Sequence, residues 1–98
     1  MGRPSVPVSS MTYEAIEELC ERAEEAARRY ILARVPRRSI TDLTITVDAE
    51  ETEDGDLNVN VDVEVKLSPT MRNFDVEGLV NEAVEASFKA VEDYLGKT

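Results

Sequence analysis

Five arginines, Arg28, Arg29, Arg34, Arg37 and Arg38, crowd into the stretch ARRYILARVPRRS of a chain whose 11 basic residues are outnumbered by 21 acidic ones. A guanidinium presents N–H donors in a planar fork that matches carboxylate or phosphate oxygens. Clustered guanidinium groups could therefore grip an anion or an acidic partner. Arg34, Arg37 and Arg38 are the candidate anion- or partner-binding residues. Three other groupings invite chemistry. The run Asp48, Glu50, Glu51, Glu53, Asp54 and Asp56 surrounds a glycine, but it lacks the alternating oxygen ligands and closing glutamate of a calcium loop. It reads as a solvated turn. The set Thr44, Thr46, Asp48, Asn60, Asp62 and Glu64 could supply a carboxylate pair for acid–base work. Such a pair needs burial to split its pKa values, and nothing in the pattern supplies that burial. Cys20 lies on an apolar stripe and reads as a small core residue. The chain has no histidine, so neither a Cys–His pair nor a Ser–His–Asp triad can form. No catalytic residue, metal ligand or cofactor is expected, and the protein is not expected to be an enzyme.

Composition narrows the partners. A net charge of −10 repels nucleic acid and anionic membrane, so only a local basic patch could bind either. The lone cysteine rules out an internal disulfide, and no run approaches the roughly 20 apolar residues of a membrane span. MGRPSVPVSS has no apolar signal segment. The expectation is a cytoplasmic protein with a flexible leader at 1–11 and one domain at 12–96.

These residues must be positioned by regular elements. From Tyr13 the apolar residues Ile16, Leu19, Cys20, Ala23, Ala26, Ala27, Tyr30 and Ile31 recur at steps of three and four, which predicts a helix. Thr12, or Ser10, would cap it, and Pro36 ends it at Val35. Glu18–Arg22, Glu24–Arg28 and Glu25–Arg29 are i,i+4 pairs in the favoured orientation, each worth about 0.3–0.5 kcal/mol. Arg28, Arg29 and Arg34 thus suit the negative end of the helix dipole. Arg37 and Arg38, beyond the helix, have no such explanation.

At residue 40 the period changes from helical to alternating. Leu43, Ile45, Val47 and Ala49 alternate with polar residues, as do Leu57, Val59, Val61, Val63, Val65 and Leu67. Two half-buried strands follow, at 40–50 and 57–68, joined as a hairpin. Both apolar sets are odd-numbered, and facing residues must share a side. A three-residue loop, Glu53-Asp54-Gly55 with Gly55 left-handed, keeps odd opposite odd. It sets Val47 against Val61 and Asp42 against Lys66. A slip of two residues would oppose Asp48 and Asp62, a like-charge pair.

SPTMRNF at 68–74 is a connector in which Met71 and Phe74 are expected to cap the core. Asp75, or Asn73, caps a second helix with the stripe Val76, Leu79, Val80, Ala83, Val84, Ser87, Phe88, Val91, Tyr94 and Leu95, ending near Gly96. The fold class is α+β, in the order α-β-β-α: an antiparallel hairpin with two amphipathic helices on its apolar face.

The pattern EEAARRYILARVPRRSITDLTITVDAE…LNVNVDVEVKLSP…DVEGLVNEAVEASFKAVEDYL resembles the archaeal family of small proteins termed domain of unknown function 3194, over about residues 12–95. The most specific parts are the Tyr30–Pro36 helix end, Asp42-Leu43 where the strand begins, the valine strand, and the Glu82–Leu95 helix. The resemblance implies this fold and a cytoplasmic location, and it carries no catalytic motif. Members tend to be encoded near the prefoldin beta subunit, which implies a housekeeping role in protein folding or gene expression.

The functional expectation is a non-enzymatic protein-interaction module that self-associates. The alternative is a nucleic-acid or nucleotide-binding module using the arginine-rich helix end. A hairpin offers a floor only about 10 Å wide, whereas two helices side by side need nearer 20 Å with their side chains. Pairing the edge of the second strand, at Val59, Val61, Val63 and Val65, with a second copy would make a four-stranded sheet in a homodimer. The competing solution is a monomer in which the helices pack mainly on each other and share a strongly twisted hairpin; Asn58, Asn60, Asp62 and Glu64 favour it, because a two-fold edge could bring like charges together.

Overall fold

The computed structural model describes residues 12–96; the leader expected at 1–11 lies outside the described residues. The elements run α1 (Tyr13–Arg34), a 3-10 turn (Arg37–Ser39), β1 (Ile40–Glu51), β2 (Leu57–Leu67), a second 3-10 turn (Pro69–Met71) and α2 (Val76–Gly96). The order is the expected α-β-β-α.

Local chemistry sets the boundaries. Thr12 is extended, and its hydroxyl accepts the Ala15 N–H at 3.0 Å, satisfying a donor that the first helical turn leaves unpaired. Asp75 does the same for α2, its Oδ1 accepting the Gly78 N–H at 3.0 Å. Val35, forced out of helical geometry by Pro36, closes α1 with its N–H on the Ile31 carbonyl at 2.9 Å.

The hairpin has the register that the charge and parity arguments select, with Val47 facing Val61 and Asp42 facing Lys66. Its turn closes with the Gly55 N–H on the Thr52 carbonyl at 3.1 Å and the Thr52 N–H on the Asp56 carbonyl at 2.9 Å. Gly55 has a φ of 85°, the left-handed conformation that the three-residue loop requires. The Thr52–Asp56 bond also fixes the phase of the ladder. Even-numbered residues of β2 turn their backbone groups toward β1, and odd-numbered ones turn theirs to the outer edge. Register breaks between Ile40 and Asp42, where the Thr41 hydroxyl donates to the Lys66 carbonyl at 3.0 Å.

Both helices lie on the odd-numbered side of the sheet, α1 chiefly over β1 and α2 over β2. Apolar residues form one cluster near the hairpin tip, around Leu19, Leu57, Val59 and Val91, and another near the opposite end, around Ile31, Val35, Val63 and Leu79. Met71 and Phe74 are half-buried against the second cluster, the capping role expected of the connector.

How two strands support two helices is answered by side-chain size. Ala23, Ala27, Ala83 and Ser87 are all fully buried, and the Ser87 hydroxyl donates to the Ala23 carbonyl of the facing helix at 2.6 Å. Small residues let the helix axes approach closely, so the pair narrows to fit the hairpin. Two helices of this composition thus need less than about 20 Å, and one chain buries the centre of both stripes. Their outer flanks stay half-covered.

Candidate functional site: the basic end and the sheet edges

The arginine cluster is divided by its local partners. Arg28 pairs with Glu24 at 2.8 Å and Arg29 with Glu25 at 2.7 Å, matching the i,i+4 spacing, as does Arg22 with Glu18 at 3.0 Å. Arg34 lies over the Tyr30 ring, its guanidinium carbon 3.6 Å from the centroid, and reaches the Tyr30 carbonyl at 3.5 Å. This cation–π contact occupies one of the three candidates. Arg37 and Arg38 are exposed in the 3-10 turn, and neither makes an ion pair or side-chain hydrogen bond among the described residues. Arg37 and Arg28 share an open groove of about 340 Å³ with Leu32, Ile40, Thr41, Asp42 and Leu43. Arg34 and Arg38 do not line it.

Two tyrosines that pattern alone assigns to apolar stripes instead pin the helices together. The Tyr30 hydroxyl of α1 donates to Glu82 of α2, and the Tyr94 hydroxyl of α2 donates to Glu18 of α1 at 3.3 Å. The bond to Glu82 raises the Tyr30 pKa, with partial burial adding to it. For Tyr94 partial burial comes first and the Glu18 charge second. The signal in the sequence is a tyrosine, rather than a phenylalanine, at the outer limit of each stripe.

The other groupings assemble no reactive pair. On the polar sheet face Asp48 stands opposite Asn60, Asp62 opposite Thr46 and Glu64 opposite Thr44, so no two of these carboxylates face each other across the hairpin. Among the described residues no group of three or more Cys, Asp or Glu side chains is placed to hold a metal ion. Cys20 is half-buried, and burial, then Asp48 and Glu17, push its thiol pKa up. That is the reverse of what a nucleophilic thiolate needs. No helix among the described residues is long and apolar enough to cross a membrane.

The two edges of the sheet differ. On the solvent side of the helix pair, Arg22, Ala26 and Arg29 of α1 share a groove with Ala90 and Tyr94 of α2. The opposite flank of each helix therefore overhangs a sheet edge. On α1 that flank reads Ile16, Cys20, Glu24, Arg28 and Leu32, so a charged pair interrupts it. On α2 it reads Val76, Val80, Val84 and Phe88, all half-buried. This unbroken apolar ridge runs beside β2, whose outer edge is paired with no strand among the described residues. Val59, Val61, Val63 and Val65 turn their side chains to the helices and their backbone groups to that edge.

Comparison with solved structures places the fold. The chain is similar to a crystal structure from Thermococcus onnurineus NA1, at 25% identity and a TM-score of 0.75, over 95% of this chain and 87% of that one. It is also similar to the solution structure of the hypothetical protein mth677 from Methanothermobacter thermautotrophicus, at 27% identity and a TM-score of 0.66, over 90% of this chain and 92% of that one. No curated protein matches the chain. A family model described as "Protein of unknown function (DUF3194)" matches residues 8–94, which is nearly the whole sequence, and the chain belongs to that family.

Proposed function

We propose that this protein is a non-enzymatic interaction module that associates with itself along the outer edge of β2. One observation carries the reading: the α2 ridge Val76, Val80, Val84 and Phe88 remains half-exposed beside an unpaired strand edge. A strand edge is a template for pairing, and proteins that keep one open usually blunt it with proline, a bulge or charge. β2 has no proline, its register break with β1 falls at one end, between Ile40 and Asp42, and its charged residues Asp62, Glu64 and Lys66 all lie on the polar face, away from the helices. Pairing there would add hydrogen bonds from the odd-numbered residues and bury the α2 ridge against its mate, giving a four-stranded sheet under four helices. The arginine-bearing end supports this reading over nucleic-acid binding, because Arg28, Arg29 and Arg34 are already engaged within the chain. Among the described residues no nucleophile or carboxylate pair is assembled, which favours interaction over catalysis. Sedimentation equilibrium at micromolar concentration tests the proposal. A mass twice the 10.9 kDa of the chain is expected. A single 10.9 kDa species up to a few hundred micromolar would refute it.

A further inference from the structure

We infer that charge selects one register for this self-association: two β2 strands pair antiparallel about a two-fold axis at Val61. The inference rests on the proposed self-association and goes further by fixing which residues meet. Only slips of an even number keep outward-turned backbone groups opposite each other. Centring on Val61 sets Val59 against the other copy's Val63 and Leu57 against its Val65. On the polar face it sets Asp62 against Asn60, Glu64 against Asn58 and Lys66 against Asp56. Every carboxylate then faces an amide or an ammonium. Moving the axis one residue toward the C-terminus opposes Asp62 to its own copy; moving it one residue the other way opposes Glu64 to Asp56. Like charges directly opposite are unfavourable.

The distribution of charge along the described residues points the same way. The half around the hairpin tip, residues 12–24, 47–61 and 88–96, carries 13 acidic residues and only Arg22 and Lys89 as basic ones. The other half, residues 25–46 and 62–87, carries 8 acidic and 7 basic residues, including the unengaged Arg37 and Arg38. Antiparallel pairing of β2 lays each strongly acidic tip beside the other copy's near-neutral, arginine-bearing end. A parallel arrangement would stack tip on tip. The basic cluster of a strongly acidic chain thus acquires a role in orienting the pair.

Charge swapping tests the register. Lys66→Glu and Asp56→Lys should each raise the dissociation constant about five- to thirtyfold, since each change acts at both ends of the seam. The double variant Asp56→Lys/Lys66→Glu should return to within about threefold of wild type. Lys66 also faces Asp42 within the chain, so melting of each variant separates folding from association. In a Cys20→Ala background, Val61→Cys should form an intermolecular disulfide on oxidation. Glu64→Cys should not, because its mate lies about 20 Å away along the strands. If the wild type dimerises but the single charge variants match it, or the double fails to recover, or cysteine at 64 bridges and cysteine at 61 does not, the register is overturned and self-association stands. If the wild type is a monomer, self-association itself fails.

Discussion

Ala23→Leu probes the feature that lets two strands carry two helices. Ala23 is fully buried in the α1–α2 seam, and its carbonyl receives the Ser87 hydroxyl at 2.6 Å. A leucine there must place an isopropyl group where Ser87 and its neighbours already sit. Forcing extra methylenes into a filled core costs about 1–3 kcal/mol through off-rotamer side chains and backbone shifts. Separating the helices also stretches the Ser87 bond, which adds about 1 kcal/mol. At roughly 4–8 °C per kcal/mol for a domain of this size, melting should fall by about 8–32 °C. Ala33→Leu is the control: Ala33 is exposed on the same helix, alanine and leucine are both good helix formers, and the change should stay within about 0.5 kcal/mol. Thermal unfolding followed by circular dichroism at 222 nm reads both, at a concentration low enough to hold the oligomeric state constant. Equal melting of Ala23→Leu and wild type would mean that the seam has room, and the account of how the helices narrow to fit the hairpin would be wrong.

Other outcomes follow from single contacts. Val63→Asp should abolish cooperative melting, because a carboxylate would be buried in a site only 7% exposed with no partner. Arg37→Glu/Arg38→Glu should melt within a few degrees of wild type, both residues being exposed and unpaired; a drop of tens of degrees would make the pair structural. Tyr30 has its pKa raised by the bond to Glu82, so the folded state holds the phenolic proton to higher pH than the unfolded chain. The contribution is complete below the ordinary tyrosine value of about 10 and is lost as pH rises through the folded value. Melting temperature between pH 8 and 11 should therefore fall more steeply for wild type than for Tyr30→Phe. Cys20, with its pKa raised chiefly by burial, should react with iodoacetamide at pH 7.5 more slowly than it does in the urea-unfolded chain; equal rates would contradict its place against the tip cluster.

Much of the architecture is legible in residue order because each signal has a local cause. Thr12, Pro36 and Asp75 act on the next few residues, and the odd-numbered valines fix a face by parity. The hairpin register was decidable because a slip would oppose Asp48 and Asp62. What the sequence hides depends on distance. The α2 stripe is too wide for one contact, and pattern alone sends Val76, Val80, Val84 and Phe88 into the core with Leu79 and Val91. Only the position of α1 shows that they form an outer flank. Likewise Tyr30 and Glu82 are 52 residues apart, and no periodicity predicts their bond. The arginine cluster is plain in residue order, but its division among Glu24, Glu25, the Tyr30 ring and open solvent depends on side-chain positions.

Backbone amide exchange followed residue by residue tests the central claim most directly. In β2 the N–H groups of Val59, Val61, Val63 and Val65 turn to the outer edge, and in β1 those of Leu43, Ile45, Val47 and Ala49 turn to the other. Neither set bonds across the hairpin. If the β2 edge pairs with a second copy, the four valine amides should exchange slowly at high protein concentration and faster on dilution, while the β1 set stays fast throughout. Valine amides that exchange as fast as the β1 set at every concentration would contradict pairing at this edge.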